Sequence, residues 1–203
     1  MLYTSNRMQH NELTKVFASV KRKFAALPDP VGFSISLTPA SFSKVLALFA
    51  PTPESVLLEV GCGKGFLIVY SALVGFKSVI GWDIEPLSVL RSKHTYQQCA
   101  VDPRFSAELK HVQFAVYEED GLRCSIPHEV THVTIIIAWS NEQLRVILDR
   151  LQQAPALQMF ALLLGRQAQA QLDMIATHFN IVQVISVALE GSGEKRQVVV
   201  ARV

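Results

Sequence analysis

The chain has 203 residues, half of them apolar and 18% charged, with a formal net charge of +2; this supplies one large buried core and excludes a disordered or polyionic chain. Its three scattered cysteines, Cys62, Cys99 and Cys124, fit neither a disulfide framework nor a tetrahedral zinc site, so no metal is expected and an intracellular, reducing compartment is indicated, cytoplasm or nucleus with a mitochondrion as a further option. No apolar run approaches the roughly 18 residues of a membrane span, and the opening MLYTSNRMQHNEL has no hydrophobic signal segment, so a soluble protein without a membrane partner is expected.

The positive charge is concentrated at the start. Leu13, Val16, Phe17, Val20, Phe24 and Leu27 fall at helical spacing, with Lys15, Lys21, Arg22 and Lys23 off that stripe, which predicts a basic amphipathic helix. Pro28-Asp29-Pro30 stops it. Thr38-Pro39 then reads as an N-cap followed by proline at the first helical position, opening a helix with Phe42, Val45, Leu46 and Phe49 on its apolar side. Residues 1–37 are therefore read as an N-terminal arm and 38–203 as one domain.

From Val56 onward strands and helices alternate. Strands are predicted at Val56–Val60, Val79–Ile84, Val112–Val116, Val133–Ala138 and Leu157–Leu164. Helices are predicted at Phe66–Val74, from Pro86 to about Cys99, from Asn141 through the apolar face Leu144, Ile147, Leu148 and Leu151, and at Gln167–Phe179. Strands that are apolar on both faces and separated by helices predict a doubly wound α/β sheet, mostly parallel. The ending differs: Ile181–Leu189 and Gln197–Val203, joined by Glu190-Gly191-Ser192-Gly193-Glu194, predict an antiparallel C-terminal hairpin that brings the sheet to seven strands.

The segment VLLEVGCGKG puts Glu59, Gly61, Gly63 and Gly65 at the junction of the first strand with a helix. Glycines there allow a tight turn and close approach of a ligand to backbone N–H groups at the helix start, which implies a nucleotide-like ligand. The bulky Phe66 disfavours a dinucleotide fingerprint, and a P-loop would need Lys-Ser/Thr after the last glycine. Asp83, in VIGWDIEP, places a carboxylate at the end of the second strand, where it can accept hydrogen bonds from two ribose hydroxyls; Glu85 is its local rival.

The pattern acidic-x-Gly-x-Gly-x-Gly, followed by Asp83 and the terminal hairpin, resembles the class I S-adenosylmethionine-dependent methyltransferases. That resemblance implies S-adenosylmethionine as cofactor, Asp83 on its ribose, and an acidic residue of Glu118-Glu119-Asp120-Gly121 near its adenine, Asp120 first and Glu119 second. It extends the cofactor-contacting set to Thr38, Glu59, Cys62 and Ile84, and places Trp139, Ser140 and Asn141 on the substrate side. Within the superfamily, SLTPASFSKVLALF, GWDIEP and LEGSGEKRQVVVARV are most similar to the disruptor-of-telomeric-silencing lysine methyltransferases. This implies a macromolecular substrate, a protein lysine, with RNA (including rRNA) as the alternative; a third reading is a non-catalytic scaffold in a larger assembly such as a ribosome. The chain departs from that family in having Ile35-Ser36-Leu37 before Thr38, where the family has Gly-Glu, and Ala138-Trp139-Ser140-Asn141 after the fourth strand, where it has paired asparagines.

Other chemistries fail on the residues. His128-Glu129-Val130-Thr131-His132 matches a zinc-protease string, but Pro127 and the β-branched run after it oppose the helix which that motif needs. No Asx-Pro-Pro-aromatic string follows the fourth strand, no cysteine stands at a strand end suited to attack a pyrimidine, and no aspartate lies near Ala138 to complete the set of the ribose methyltransferases.

The cations Lys15, Lys21, Arg22 and Lys23 suit an acidic partner surface with salt-sensitive affinity. Charge reversal at Lys21, Arg22 and Lys23 is expected to weaken partner binding and flatten its salt dependence while calorimetric cofactor affinity stays unchanged; indifference of partner binding would reduce the arm to packing.

Overall fold

The computed structural model describes residues 14, 15, 18, 37–137, 139–190, 192 and 194–203. Of the N-terminal helix, Thr14, Lys15 and Ala18 are helical, and Thr14 Oγ1 lies 2.9 Å from the hydroxyl of the buried Tyr70. Lys21, Arg22, Lys23 and the proposed boundary at residue 37 lie at or beyond the edge of the described residues.

Helix α1 (Pro39–Ala47) begins as its sequence dictates. Thr38 Oγ1 accepts the Ser41 N–H at 3.3 Å, proline occupies the first turn, and Phe42, Val45 and Leu46 are buried. It ends well before Pro51, with Ala50 in the left-handed region at φ 44°. There follow β1 (Val56–Val60), α2 (Phe66–Val74), β2 (Ser78–Asp83), α3 (Pro86–Val101), α4 (Ser106–Leu109), β3 (Gln113–Glu118), β4 (His132–Ile135), α5 (Asn141–Gln153), β5 (Met159–Leu163), α6 (Ala168–Ala176), β6 (Asn180–Ala188) and β7 (Lys195–Arg202). The four-residue α4 buries only Leu109, too little for a periodic signal. Strands β4 and β5 are shorter than the apolar runs that contain them: Ile136 and Leu157 are buried but stand outside the ladder.

The strands form one sheet of order β3-β2-β1-β4-β5-β7-β6. All neighbours are parallel except β5–β7 and β6–β7. The expected doubly wound α/β architecture, mostly parallel and closed by an antiparallel C-terminal hairpin, is what the chain adopts. Because β7 runs antiparallel between β5 and β6, the β6–β7 turn returns to the end of the sheet where β1, β4 and β5 finish. Two cores flank the sheet. Leu57, Val79, Ala161 and Val200 face α1, α2 and α3, while Leu58, Val133, Phe160 and Val199 face α5 and α6. Both faces of the central strands are thus covered, which is why β1, β4 and β5 read as continuous apolar runs. Strand order reverses between β1 and β4, opening a crevice above their carboxyl ends.

The string His128–His132 crosses a turn into β4 and forms no helix. His132 is buried at the opposite end of the sheet, between Phe49 and Phe76 at ring separations of 5.1 and 5.3 Å, with Nδ1 2.8 Å from Thr131 Oγ1. Burial lowers its pKa, partly offset by a hydrogen bond that the ring donates to the Phe49 backbone carbonyl. The unfolded chain therefore takes up this proton at a higher pH than the folded one, and stability falls as pH drops below the ordinary histidine value of about 6.5 toward the lowered folded one. Urea midpoints at about pH 8 and about pH 5.5 should differ more in the wild type than in His132→Phe, which keeps the aromatic contacts and cannot be protonated.

Candidate cofactor and substrate site

The loop leaving β1 is shaped by the end of β2. The N–H groups of Gly61 and Cys62 both donate to the Trp82 carbonyl, at 2.8 and 2.9 Å, and the Gly63 N–H donates to Asp83 Oδ2 at 2.8 Å. Gly61, Gly63 and Gly65 have φ of 76°, 53° and 75°, where a side chain is strained. A Cβ on Gly61 would run into Ile137 after β4, and one on Gly65 would come 2.9 Å from the Ser92 Cα of α3. The loop therefore lies flush between its neighbours, and α2 starts from Gly65 with no side-chain cap. Cys62 is buried; burial pushes its thiol pKa well up, with the Glu59 and Asp83 carboxylates adding to the effect. Glu59 is itself buried on β1.

Asp83 also accepts the Glu85 N–H on Oδ1 at 2.9 Å, so each of its oxygens already holds one backbone donor and keeps a further lone pair. The next residue, Ile84, is 68% exposed at the carboxyl end of β2, a conspicuous position for a large aliphatic side chain. The loop after β3 joins the same wall through the Glu119 N–H, which donates to the Asp83 carbonyl at 3.0 Å. Glu119 Oε2 accepts the Cys124 thiol at 2.8 Å, a bond that raises the pKa of that thiol. Asp120 Oδ1 accepts the Leu122 N–H at 2.9 Å, while Oδ2 pairs with Arg123 at 3.3 Å.

Sequence reading missed the residue that holds this loop. Arg150, in the last turn of α5, donates to the Leu122 carbonyl through Nε (3.1 Å) and Nη2 (2.7 Å) and to the Cys124 carbonyl through Nη1 (3.0 Å). In the sequence it stands among polar residues of an amphipathic helix, with nothing to mark a clamp on backbone carbonyls.

Across the crevice, the three substrate-side candidates stand together after β4. Ser140 caps α5 in a reciprocal box: its Oγ accepts the Gln143 N–H at 3.3 Å, and its own N–H donates to Gln143 Oε1 at 3.0 Å. Asn141 Nδ2 donates to Gln167 Oε1 at 2.6 Å. Trp139 packs against the α5–α6 core, its indole N–H buried without a hydrogen-bond partner among the described residues. Thr38 Oγ1 is also 3.0 Å from Ser41 Oγ, which exchanges hydrogen bonds with Ala188 at the end of β6, so Thr38 sits on the same rim of the sheet. Among the described residues no three His, Cys, Asp or Glu side chains gather as a metal site. None of the described helices is long and apolar enough to cross a membrane.

The crevice offers carboxylates at the exits of β2 and β3, an exposed aliphatic surface at Ile84 and a glycine-rich turn of left-handed backbone at the exit of β1. With the sheet order these features define a class I methyltransferase domain. The model of the ribosomal protein L11 methyltransferase (PrmA) family matches residues 44–185, more than two thirds of the chain and spanning the site from β1 to β5. The chain belongs to that family, and its cofactor is S-adenosylmethionine. It is 25% identical over 126 residues to the ribosomal protein L11 methyltransferase of Pasteurella multocida (strain Pm70), covering 62% of this chain and 40% of that protein, so it spans about two fifths of that relative's length.

Solved structures share the fold at lower identity. A Pyrococcus horikoshii protein provisionally assigned as an RNA methyltransferase superposes with TM-score 0.63 at 15% identity, over 96% of this chain and 95% of that one. The magnesium protoporphyrin IX methyltransferase of Synechocystis PCC 6803, with bound S-adenosylhomocysteine, gives 0.63 at 14% over 95% and 98%. The Pyrococcus abyssi tRNA (uracil-54, C5)-methyltransferase, in complex with the same product, gives 0.59 at 14% over 86% and 41%. The expected kinship with the disruptor-of-telomeric-silencing enzymes finds no support in these comparisons; of the segments that suggested it, the glycine and Asp83 motifs belong to the superfamily as a whole.

Replacing Asp83 by Ala should weaken S-adenosylmethionine binding by about 1.5–3 kcal/mol for each charged hydrogen bond lost. Titration calorimetry reads this directly, and an affinity equal to wild type would remove Asp83 from the ribose.

Proposed function

We propose that the chain methylates a ribosomal protein. The observation that carries this reading is the family match over residues 44–185, a span that includes the exits of β1 through β5. Bound over the glycine turn, S-adenosylmethionine supplies a methyl group on a sulfonium sulfur, open to in-line displacement by a nucleophile. The chain's residues then act mainly by alignment and by excluding water. In this reading Asp83 holds the ribose, Glu119 or Asp120 stands at the adenine beside Ile84, and Thr38, Glu59 and Cys62 line the methionine end.

Ser140 and Asn141 are not bases, and both side chains are engaged in fixing local structure. An amine nucleophile, with a pKa near 10.4 for lysine in water, must therefore give its proton to solvent water on entry, as desolvation favours the neutral amine. In this reading Trp139, which follows β4, borders the transfer point, where an aromatic side chain accommodates an amine before and after methylation.

A second reading, RNA as substrate, is favoured by the likeness to RNA and tRNA methyltransferase folds and by the basic arm with Lys15, Lys21, Arg22 and Lys23. Incubation with methyl-labelled cofactor and isolated ribosomal subunits separates the readings. Label is expected in the protein fraction, lost in Asp83→Ala, with peptide mapping deciding whether a lysine nitrogen carries it. Label in RNA would transfer the assignment to the second reading. Label in neither, with product binding intact, would leave a methyltransferase fold used as a scaffold.

A further inference from the structure

The segment Trp139–Asn141 is held by a residue from another element. Gln171, on α6, is 2% exposed, and both the oxygen and the nitrogen of its amide are engaged. Oε1 accepts the Gly165 N–H at 2.7 Å. Nε2 donates to the Trp139 carbonyl at 3.0 Å and to Asn141 Oδ1 at 3.3 Å. Two of these partners are backbone groups of fixed polarity, so the orientation of the amide is decided: oxygen toward Gly165, nitrogen toward Trp139.

The rest follows in sequence. With Gln171 Nε2 facing it, Asn141 must present its oxygen inward and its nitrogen outward, and that nitrogen donates to Gln167 Oε1 at 2.6 Å. Three amides thus form a directed relay that begins on the backbone after β5 and ends on the loop into α6. Gly165 leaves room for it, since a Cβ there would stand 3.3 Å from both Gln171 Nε2 and the Trp139 oxygen. A buried primary amide of this kind is costly unless satisfied, and here it is satisfied only while the loops after β4 and β5 keep their present spacing.

We propose that Gln171 is a positioning residue for methyl transfer. By fixing the Trp139 main chain and the Asn141 side chain it sets the substrate wall of the crevice, and it leaves the cofactor wall, organised by Trp82 and Asp83, to itself. The proposal rests on the reading that the exit of β4 borders the transferred methyl group.

Gln171→Glu keeps the size and the acceptor for Gly165 but turns oxygens toward the Trp139 carbonyl and Asn141 Oδ1. Gln171→Leu keeps apolar bulk and removes all three bonds. Each is made in the full chain; for fluorescence only, a Trp82→Phe substitution is added so that emission reports Trp139 alone, while calorimetry and turnover use the chain with Trp82 retained. In both, acrylamide quenching of Trp139 should rise and S-adenosylhomocysteine affinity by calorimetry should stay at the level of the chain with Gln171. Turnover of labelled cofactor on ribosomal subunits should fall by roughly tenfold or more, in kcat rather than in the KM for cofactor.

Unchanged quenching would overturn the proposal. A loss of S-adenosylhomocysteine affinity in step with the rise in quenching would also overturn it, by showing a general structural role, as would full turnover on a loosened Trp139. If the unmodified chain transfers no label at all, the functional reading fails first, and the fluorescence and calorimetry still decide whether Gln171 holds the substrate wall independently of the cofactor wall.

Discussion

Three consecutive backbone N–H groups, those of Gly61, Cys62 and Gly63, end on two consecutive residues of the neighbouring strand, Trp82 and Asp83. Almost everything in the crevice depends on that coupling. A glycine turn in isolation samples many conformations, and its entropy would oppose ligand binding. Here β2 acts as the template, so the left-handed backbone is set before any ligand arrives and binding does not have to order it. The same carboxylate reaches forward to the Glu85 N–H, while the Asp83 carbonyl receives the Glu119 N–H. Asp83 thus joins the exits of β1, β2 and β3 into one wall, and a change there is felt in the shape of the turn as well as in the ligand.

The opposite wall is built by different means. Past β4 the chain is secured by the capping box of Ser140 and Gln143 and by side-chain amides from the β5–α6 region. The two walls meet where the strand order reverses between β1 and β4, and Ile137 touches the position a Gly61 side chain would occupy. A single substitution can consequently alter one wall while sparing the other.

The division also explains what the sequence disclosed. Strand β1 and helix α2 were legible to the residue because Val56–Val60 is covered on both faces and glycines bracket the helix. The glycine turn and Asp83 were legible because backbone conformation and strand ends leave short, local signatures. Arg150 and Gln171 were not, since each acts on backbone carbonyls 26 to 32 residues away, and a polar side chain on an amphipathic helix reads as solvated. The strand ends blurred for a related reason: apolar burial at Ile136 and Leu157 continues beyond the hydrogen-bonded ladder, and composition reports burial rather than pairing. The narrower family likeness misled because the glycine and aspartate motifs describe a way of binding a cofactor and carry no information about the acceptor.

Cys62 lies inside the turn that Trp82 and Asp83 hold closed, at 5% exposure. Its protonated, buried sulfur is a poor nucleophile, since the thiolate is the form that reacts with alkylating reagents. Cys99, on the buried face of α3, is likewise covered, its pKa pushed up to about 11 by burial, with the nearby Asp102 charge adding to it. A maleimide added to the folded chain consequently reaches Cys62 through conformations that uncover the turn, release of its N–H groups from β2 among them. The rate of that modification measures the population of the uncovered turn, so the protein carries an intrinsic gauge of how firmly its cofactor wall is latched.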